Sequence, residues 1–195
     1  MKNVLEELQV PEGPSWPSRL AAALLTKLGK LKVIEIGTAY GNHLKTYGHL
    51  ASRIVCIDPM YDWVPDITEN DGFDSQKVDQ RKIAVWHQNA LECGNHIELI
   101  TGNSYISHES NVLNESFEIL LIDGCHHPAS EVVKDYKLYL KHLTNPHYVV
   151  WDDLRESDIK EAVRLQKIFL EEQGLKVEEK SFNSGAEALL QFISK

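Results

Sequence analysis

Cysteine is scarce and unpaired in this chain. The three present, Cys56, Cys93 and Cys125, lie far apart with no C-x-x-C spacing, which excludes a disulfide framework and a cysteine-built zinc site. Cys56, inside the apolar run I-V-C-I, reads as a buried thiol. No apolar run approaches the ~20 residues that cross a bilayer. The stretch M-K-N-V-L-E-E-L carries acids where a secretory signal needs an apolar segment, so a cytoplasmic protein with no membrane partner is expected. Basic residues are the minority, 20 Lys and Arg against 29 Asp and Glu, for a net charge of -9. That balance argues against nucleic acid as a partner. Repeats and low-complexity tracts are missing. What is there, 43% hydrophobic and 25% charged residues, is an ordinary globular composition. The length suits one domain, 1–195, with an N-terminal loop and helix over 1–29 and a core over 30–195.

Residues 9–18, with three prolines and a glycine, read as an extended loop. Ser18 is placed to cap the helix that follows, R-L-A-A-A-L-L-T-K-L, and Gly29 to end it. Strand-like runs then recur at Lys32–Ile36, Arg53–Ile57, His96–Ile100, Phe117–Ile122 and His147–Trp151, with helical patterns over 76–92, 128–143 and 156–173. Pro128 opens the second of these helices, and Ala129, Val132, Val133, Tyr136, Leu140 and Leu143 share one face of it. The alternation predicts an α/β fold, a mostly parallel sheet with helices on both faces. The tail departs from it: Lys176–Phe182 and Ala188–Ser194 read as two strands joined by N-S-G, an antiparallel hairpin. Residues 59–75 form a long loop carrying Tyr61 and Trp63, which with Trp16 offer flat apolar contacts to a ligand or to the core.

The chemistry concentrates at the ends of the apolar runs. Asp123 follows F-E-I-L-L-I, and Asp152-Asp153 follow Y-V-V-W. Carboxylates at the carboxyl ends of neighbouring parallel strands point into the crevice where open α/β sheets bind ligands. Three converging there repel one another unless a cation lies between them. Upstream, V-I-E-I-G-T-A-Y-G-N-H over 33–43 runs from strand to glycine turn to helix, with Gly37 and Gly41 spaced G-x-x-x-G instead of the dinucleotide G-x-G-x-x-G. Asp58 ends the next strand, where an acid suits a ribose diol or caps a turn.

With E-I-G-T-A-Y-G followed by I-D-P, residues 30–195 resemble the class I S-adenosylmethionine-dependent methyltransferases. The resemblance implies a Rossmann-like, mostly parallel seven-stranded sheet whose last two strands form the hairpin seen in the tail. It implies that Glu35, Gly37, Tyr40 and Gly41 hold the methionine part of S-adenosyl-L-methionine, that Asp58 holds its ribose, and that Asn103 and Ser104 of T-G-N-S contact adenine. L-I-D-G-C-H-H over 121–127, with W-D-D over 151–153, resembles the metal-dependent O-methyltransferases of the catechol and macrocin types. There the matching acids hold Mg²⁺, which assigns the metal to Asp123, Asp152 and Asp153. A hard cation prefers such oxygen ligands and acidifies a bound hydroxyl. His126, three residues after Asp123, matches the catalytic base. The resemblance further implies a small-molecule acceptor such as a sugar, phenol or other vicinal diol, and a homodimer as the assembly.

Other readings of the same residues stay open at this level. Asp152 or Asp153 also suits an N-cap for the following helix, Asp123 suits the cofactor's amine without a metal, and His126 suits a metal ligand. Arg155 is placed either to meet an anionic substrate or to neutralise the acids before it. A Cys125-His126 nucleophile pair lacks a third, orienting group. A metal-independent methyltransferase, an iron oxygenase built on His126, His127 and a carboxylate, and a non-catalytic binding protein of the same fold are the rival functions. Before the fifth strand stand Asn145, Pro146 and His147 in place of the family's usual Gly-Gly, so the turn there must differ.

Overall fold

A computed structural model describes residues 4–13, 15–61, 78–94, 96–124, 128–182 and 187–195. Helix α1 (Trp16–Leu28) precedes β1 (Lys32–Ile36), followed by a short α2 (Leu44–Tyr47), β2 (Arg53–Asp58), α3 (Gln80–Cys93), β3 (Ile97–Thr101) and a short α4 (Ser104–Ser107). Then come β4 (Phe117–Ile122), α5 (Ala129–Tyr139), β5 (Leu143–Trp151), α6 (Ser157–Glu172), β6 (Lys176–Phe182) and β7 (Ala188–Ser194). The seven strands form one sheet in the order β3-β2-β1-β4-β5-β7-β6. Strands β1 to β5 pair in parallel, and β7 runs antiparallel between β5 and β6. This is the expected mixed α/β sheet with its hairpin tail. No helix among the described residues is long and apolar enough to cross a membrane.

The central strands are apolar throughout because both of their faces are covered. Val33, Ile54, Cys56, Ile119 and Leu121 face a layer containing Leu20 and Leu24 of α1, Leu44 and Tyr47 of α2, and Trp86 of α3. The alternate residues Ile34, Val55, Ile57, Leu120 and Ile122 face Val132 and Tyr136 of α5 and Ile159 and Ala162 of α6. The period-two rule then places Glu35 on the face of Val33, inside the first layer, and it is 1% exposed there.

Several boundaries shift for local reasons. Ser15, not Ser18, caps α1, because Pro17 is tolerated in a first helical turn. Asp79 starts α3 later than the pattern suggested by accepting a hydrogen bond from Arg81 N. The helix expected over 128–143 ends in a 3-10 turn at Leu140–His142, and β5 begins at Leu143 instead of His147. Pro146 has no N–H for the ladder. The pairing accordingly slips from Phe117–Leu143 to Ile119–Tyr148, with His147 Nδ1 lying 2.8 Å from Thr144 O inside the irregularity. Most of the 59–75 loop, including Trp63, lies outside the described residues; Tyr61 forms an isolated bridge with Val78. Trp16 packs on Phe182, ring centroids 5.6 Å apart, with the Arg19 guanidinium 4.1 Å from its ring centre, so it serves the core.

Strand order reverses beside β1: the chain moves outward through β2 and β3, then returns to β4 on β1's other side. At such a switch point the turns leaving β1 and β4 diverge and open a crevice. Their backbones touch at Gly37, whose φ is +87° and where an added Cβ would lie 1.9 Å from Asp123 O and 2.6 Å from Gly124 Cα. Gly37→Ala therefore meets backbone strain and an immovable neighbour together. It should lose at least about 2 kcal/mol of stability, measured by denaturant unfolding against the wild type.

Candidate active site at the strand switch point

Residues from four strand ends border the crevice. After β1, Gly37 N donates to Ile57 O at 2.9 Å and Gly41 N to Thr38 O at 2.8 Å, fixing the glycine turn. Helix α3 braces that turn from outside. Trp86 Nε1 donates to Thr38 Oγ1 at 3.1 Å, and Asn89 Nδ2 donates to Tyr40 O at 2.8 Å. At the end of β2, Asp58 is 5% exposed. Its Oδ2 accepts Ala39 N at 2.8 Å, and its Oδ1 accepts Met60 N at 2.6 Å and Lys82 Nζ at 3.2 Å. A cavity of about 160 Å³ lies against the turn, lined by Gly37 to Tyr40, Asn42, His43 and Asp123. A larger hollow of about 340 Å³ is lined wholly by α6 side chains, among them Lys160, Arg164 and Lys167, and gathers none of the predicted residues.

His43 is the centre of the site's electrostatics. Its Nδ1 lies 3.5 Å from Glu35 Oε1 and 3.4 Å from Asp123 Oδ2. Burial by itself would lower the His43 pKa, but the hydrogen bond and charge of Glu35, then the charges of Asp123 and Asp152, raise it to about 9. Burial likewise pushes Glu35 up, yet His43, Thr38 and Cys56 together hold it below its ordinary value. Cys56 Sγ contributes a 3.3 Å contact to Glu35 Oε2, a pairing fixed by the β1–β2 register of Glu35 with Cys56. Asp123 goes the other way. Burial first, then the charge of Asp152, raise its pKa to about 8 against the pull of His43. Burial raises Asp152 as well, against a hydrogen bond from the Asp153 backbone that lowers it. Asp123 and Asp152 thus form an interacting acid pair, with Asp152 raising Asp123.

The third acid of the expected metal triad meets a basic partner of its own. Asp153 has φ +48°, and its Oδ1 lies 3.4 Å from Arg155 Nη2. Among the described residues no three His, Cys, Asp or Glu side chains are grouped to hold a metal ion. The structure brings Asp123 and Asp152 together and turns Asp153 toward Arg155. Neither Asp152 nor Asp153 caps α6, whose N-cap is Glu156. Of the cofactor candidates, Glu35 is buried, Gly37 and the 47% exposed Tyr40 line the cavity, Gly41 belongs to the same turn, and Asp58 meets that turn at Ala39 N. Asn103 and Ser104 follow β3 at the same end of the sheet. Asn103 Oδ1 caps α4 by accepting Tyr105 N at 2.8 Å, and Ser104 O accepts the Tyr139 hydroxyl at 2.9 Å. His126, with Cys125 and His127, lies outside the described residues.

Sequence reasoning missed His43, Lys82, Trp86 and Asn89. For the last three a signal existed: 82, 86 and 89 fall at helical spacing on one face of α3. For His43 none did, because its partners come from β1 and from the turn after β4.

The two raised pKa values set a direction for stability against pH. The unfolded chain loses the Asp123 proton near 3.8 while the folded chain keeps it to about 8, so folding becomes less favourable across that interval. His43 adds stability that is complete below 6.5 and is lost through about 9. Both effects weaken the protein as pH rises. Denaturant unfolding of chelator-treated protein should give lower stability at pH 9 than at pH 6, and Asp123→Asn should make that difference smaller.

Comparison with known proteins places this geometry. A family model described as a methyltransferase domain matches residues 34–154, more than half of the chain. No curated protein sequence matches. Among solved structures, the O-methyltransferase TomG from Streptomyces achromogenes, in complex with SAM, superposes with a TM-score of 0.65 at 11% identity, over 99% of this chain and 87% of that one. An O-methyltransferase from Bacillus cereus, in complex with SAH, gives 0.64 at 13%, over 100% and 87%. The N-methyltransferase NodS from Bradyrhizobium japonicum, with S-adenosyl-L-homocysteine, gives 0.57 at 15%, over 99% and 97%. At these identities the likeness is one of fold, shared by oxygen and nitrogen methyltransferases. The family match carries the assignment: this chain belongs to the methyltransferase-domain family, built on the class I methyltransferase fold.

Proposed function

We propose that this enzyme transfers a methyl group from S-adenosyl-L-methionine to a hydroxyl of a small molecule, with a divalent cation, Mg²⁺ by the chemistry of its ligands, held at Asp123 and Asp152. The observation that carries the reading is the cavity at the switch point, with Asp58 behind one wall and the Asp123–Asp152 pair beyond the other. Asp58 suits the ribose end, and the turn from Gly37 to Gly41 suits the methionine end. At that end His43 offers a cation to the carboxylate of an amino acid, and Asp123 an acid whose anion the ammonium group would favour. Asn103 and Ser104 suit the adenine, at the same edge of the sheet. The acids around the cavity and the net charge of -9 disfavour a polyanionic acceptor, which supports a small molecule over nucleic acid.

When bound, the cofactor supplies an electrophilic methyl on a positive sulfur. When bound, a divalent cation supplies the charge that offsets the repulsion within the acid pair and acidifies an acceptor hydroxyl. The chain's own part is to hold the reacting atoms in line, from which much of the acceleration comes, and to take up the hydroxyl proton. His126 is the proposed base by its place three residues beyond Asp123. Asp123 and Asp152 fit a cation because the fold leaves them short of positive charge: even with His43 at 3.4 Å, Asp123 retains its proton to about 8. Asp153 joins them only after leaving Arg155. Family membership favours transfer over the oxygenase reading of His126 and His127.

The same His43 contact favours one second reading, a metal-independent methyltransferase in which the imidazolium is the only counter-charge that Asp123 needs. The two separate cleanly. Calorimetry should show binding of S-adenosylhomocysteine, and its absence would contradict the shared root of both. With a vicinal-diol acceptor, EDTA should abolish turnover and Mg²⁺ restore it, while Asp152→Ala should lower Mg²⁺ affinity at least about tenfold. Turnover indifferent to both EDTA and Asp152→Ala would select the metal-independent reading.

A further inference from the structure

Asp58 has fewer free acceptor positions than the ribose assigned to it requires. A carboxylate offers about four lone-pair sites. Ala39 N takes one at Oδ2, while Met60 N and Lys82 Nζ take both at Oδ1. One site remains, on Oδ2. A vicinal diol that gave both of its protons to Asp58 would need two. With Lys82 seated on Oδ1, one hydroxyl turns round and accepts a hydrogen bond, and it needs a donor close to Asp58.

Lys82 is that donor. Its ammonium lies 3.2 Å from Asp58 Oδ1 and 5.9 Å from the centre of the Tyr40 ring, and Tyr40 lines the cavity. The side chain is only 14% exposed, an unusual position for lysine. Holding a long side chain there costs rotamer freedom, although two backbone N–H groups already anchor Asp58. An ammonium has three protons, and the contact with Asp58 uses one. Trp86 and Asn89, on the same face of α3, hold the glycine turn, so the helix that carries Lys82 is itself tied to the cavity wall.

We propose that Lys82 is a second ribose-binding residue: one ribose hydroxyl donates to Asp58 Oδ2, and the other accepts from Lys82 Nζ. The proposal rests on the cofactor reading above and adds to it a specificity for the complete diol. Titration calorimetry tests it, using S-adenosylhomocysteine and its 2′-deoxy and 3′-deoxy analogues with wild type, Lys82→Met and Lys82→Gln, each variant first shown to be folded by its thermal unfolding. Wild type should bind the parent compound and lose about tenfold in affinity for each missing hydroxyl. Lys82→Met should bind the parent about tenfold more weakly, and one of the two deoxy analogues should then cost it nothing further. Lys82→Gln, which keeps an N–H donor, should recover part of the loss. Equal affinity of Lys82→Met and wild type for the parent compound, or full loss for both deoxy analogues in Lys82→Met, would overturn the proposal and leave the cofactor reading standing. A wild type that does not bind the parent compound would overturn both.

Discussion

Three carboxylates and one imidazole share a largely desolvated space where β1, β4 and β5 end, and the site follows from how their charges are reconciled. Glu35 cannot reach water from inside the sheet layer. An isolated buried carboxylate is untenable without a partner, and His43 supplies one at 3.5 Å. The same ring lies 3.4 Å from Asp123, so a single cation faces two acids, with a third, Asp152, behind. The balance stays incomplete. Glu35 is held as the anion, while Asp123 keeps a proton. An acid pair left in that state responds strongly to any added cation, which is why the metal belongs to the proposed function and not to the fold.

The backbone makes this gathering unavoidable. β1 pairs in register with both β2 and β4, so the residues leaving those strands sit at one level. Gly37 lets the two central turns touch, and a side chain there would push the Asp123 backbone away. Helix α3 closes the arrangement through Trp86, Asn89 and Lys82, tying the turn after β1 to the acid that ends β2. One short helical face thus fixes the two walls between which a nucleoside-bearing cofactor would lie.

Much of this architecture was legible in the sequence. Uninterrupted apolar runs marked the central strands, and the tail strands Lys176–Phe182 and Ala188–Ser194 carried their own boundaries, because a hairpin is a local structure. The acids were legible for the same reason, each ending an apolar run. Illegible were features that depend on distant partners. β5 starts early through its pairing with Phe117 and the irregularity at Pro146. Asp153 reads as a third metal ligand beside Asp152, and nothing in the sequence signals its positive φ or its 3.4 Å contact with Arg155. His43 is only the last residue of the glycine-turn motif in the sequence, and its partners Glu35 and Asp123 come from β1 and from the turn after β4.

The central claim is that the crevice between the β1 and β4 turns, bounded by Asp58 on one side and Asp123 on the other, holds an S-adenosyl cofactor. A crystal structure of the protein with S-adenosylhomocysteine tests it most directly. The account predicts the ribose within hydrogen-bonding distance of Asp58 and the amino-acid end beside His43 and Asp123. Density for the ligand elsewhere on the molecule, or in the crevice with its ribose away from Asp58, would contradict it.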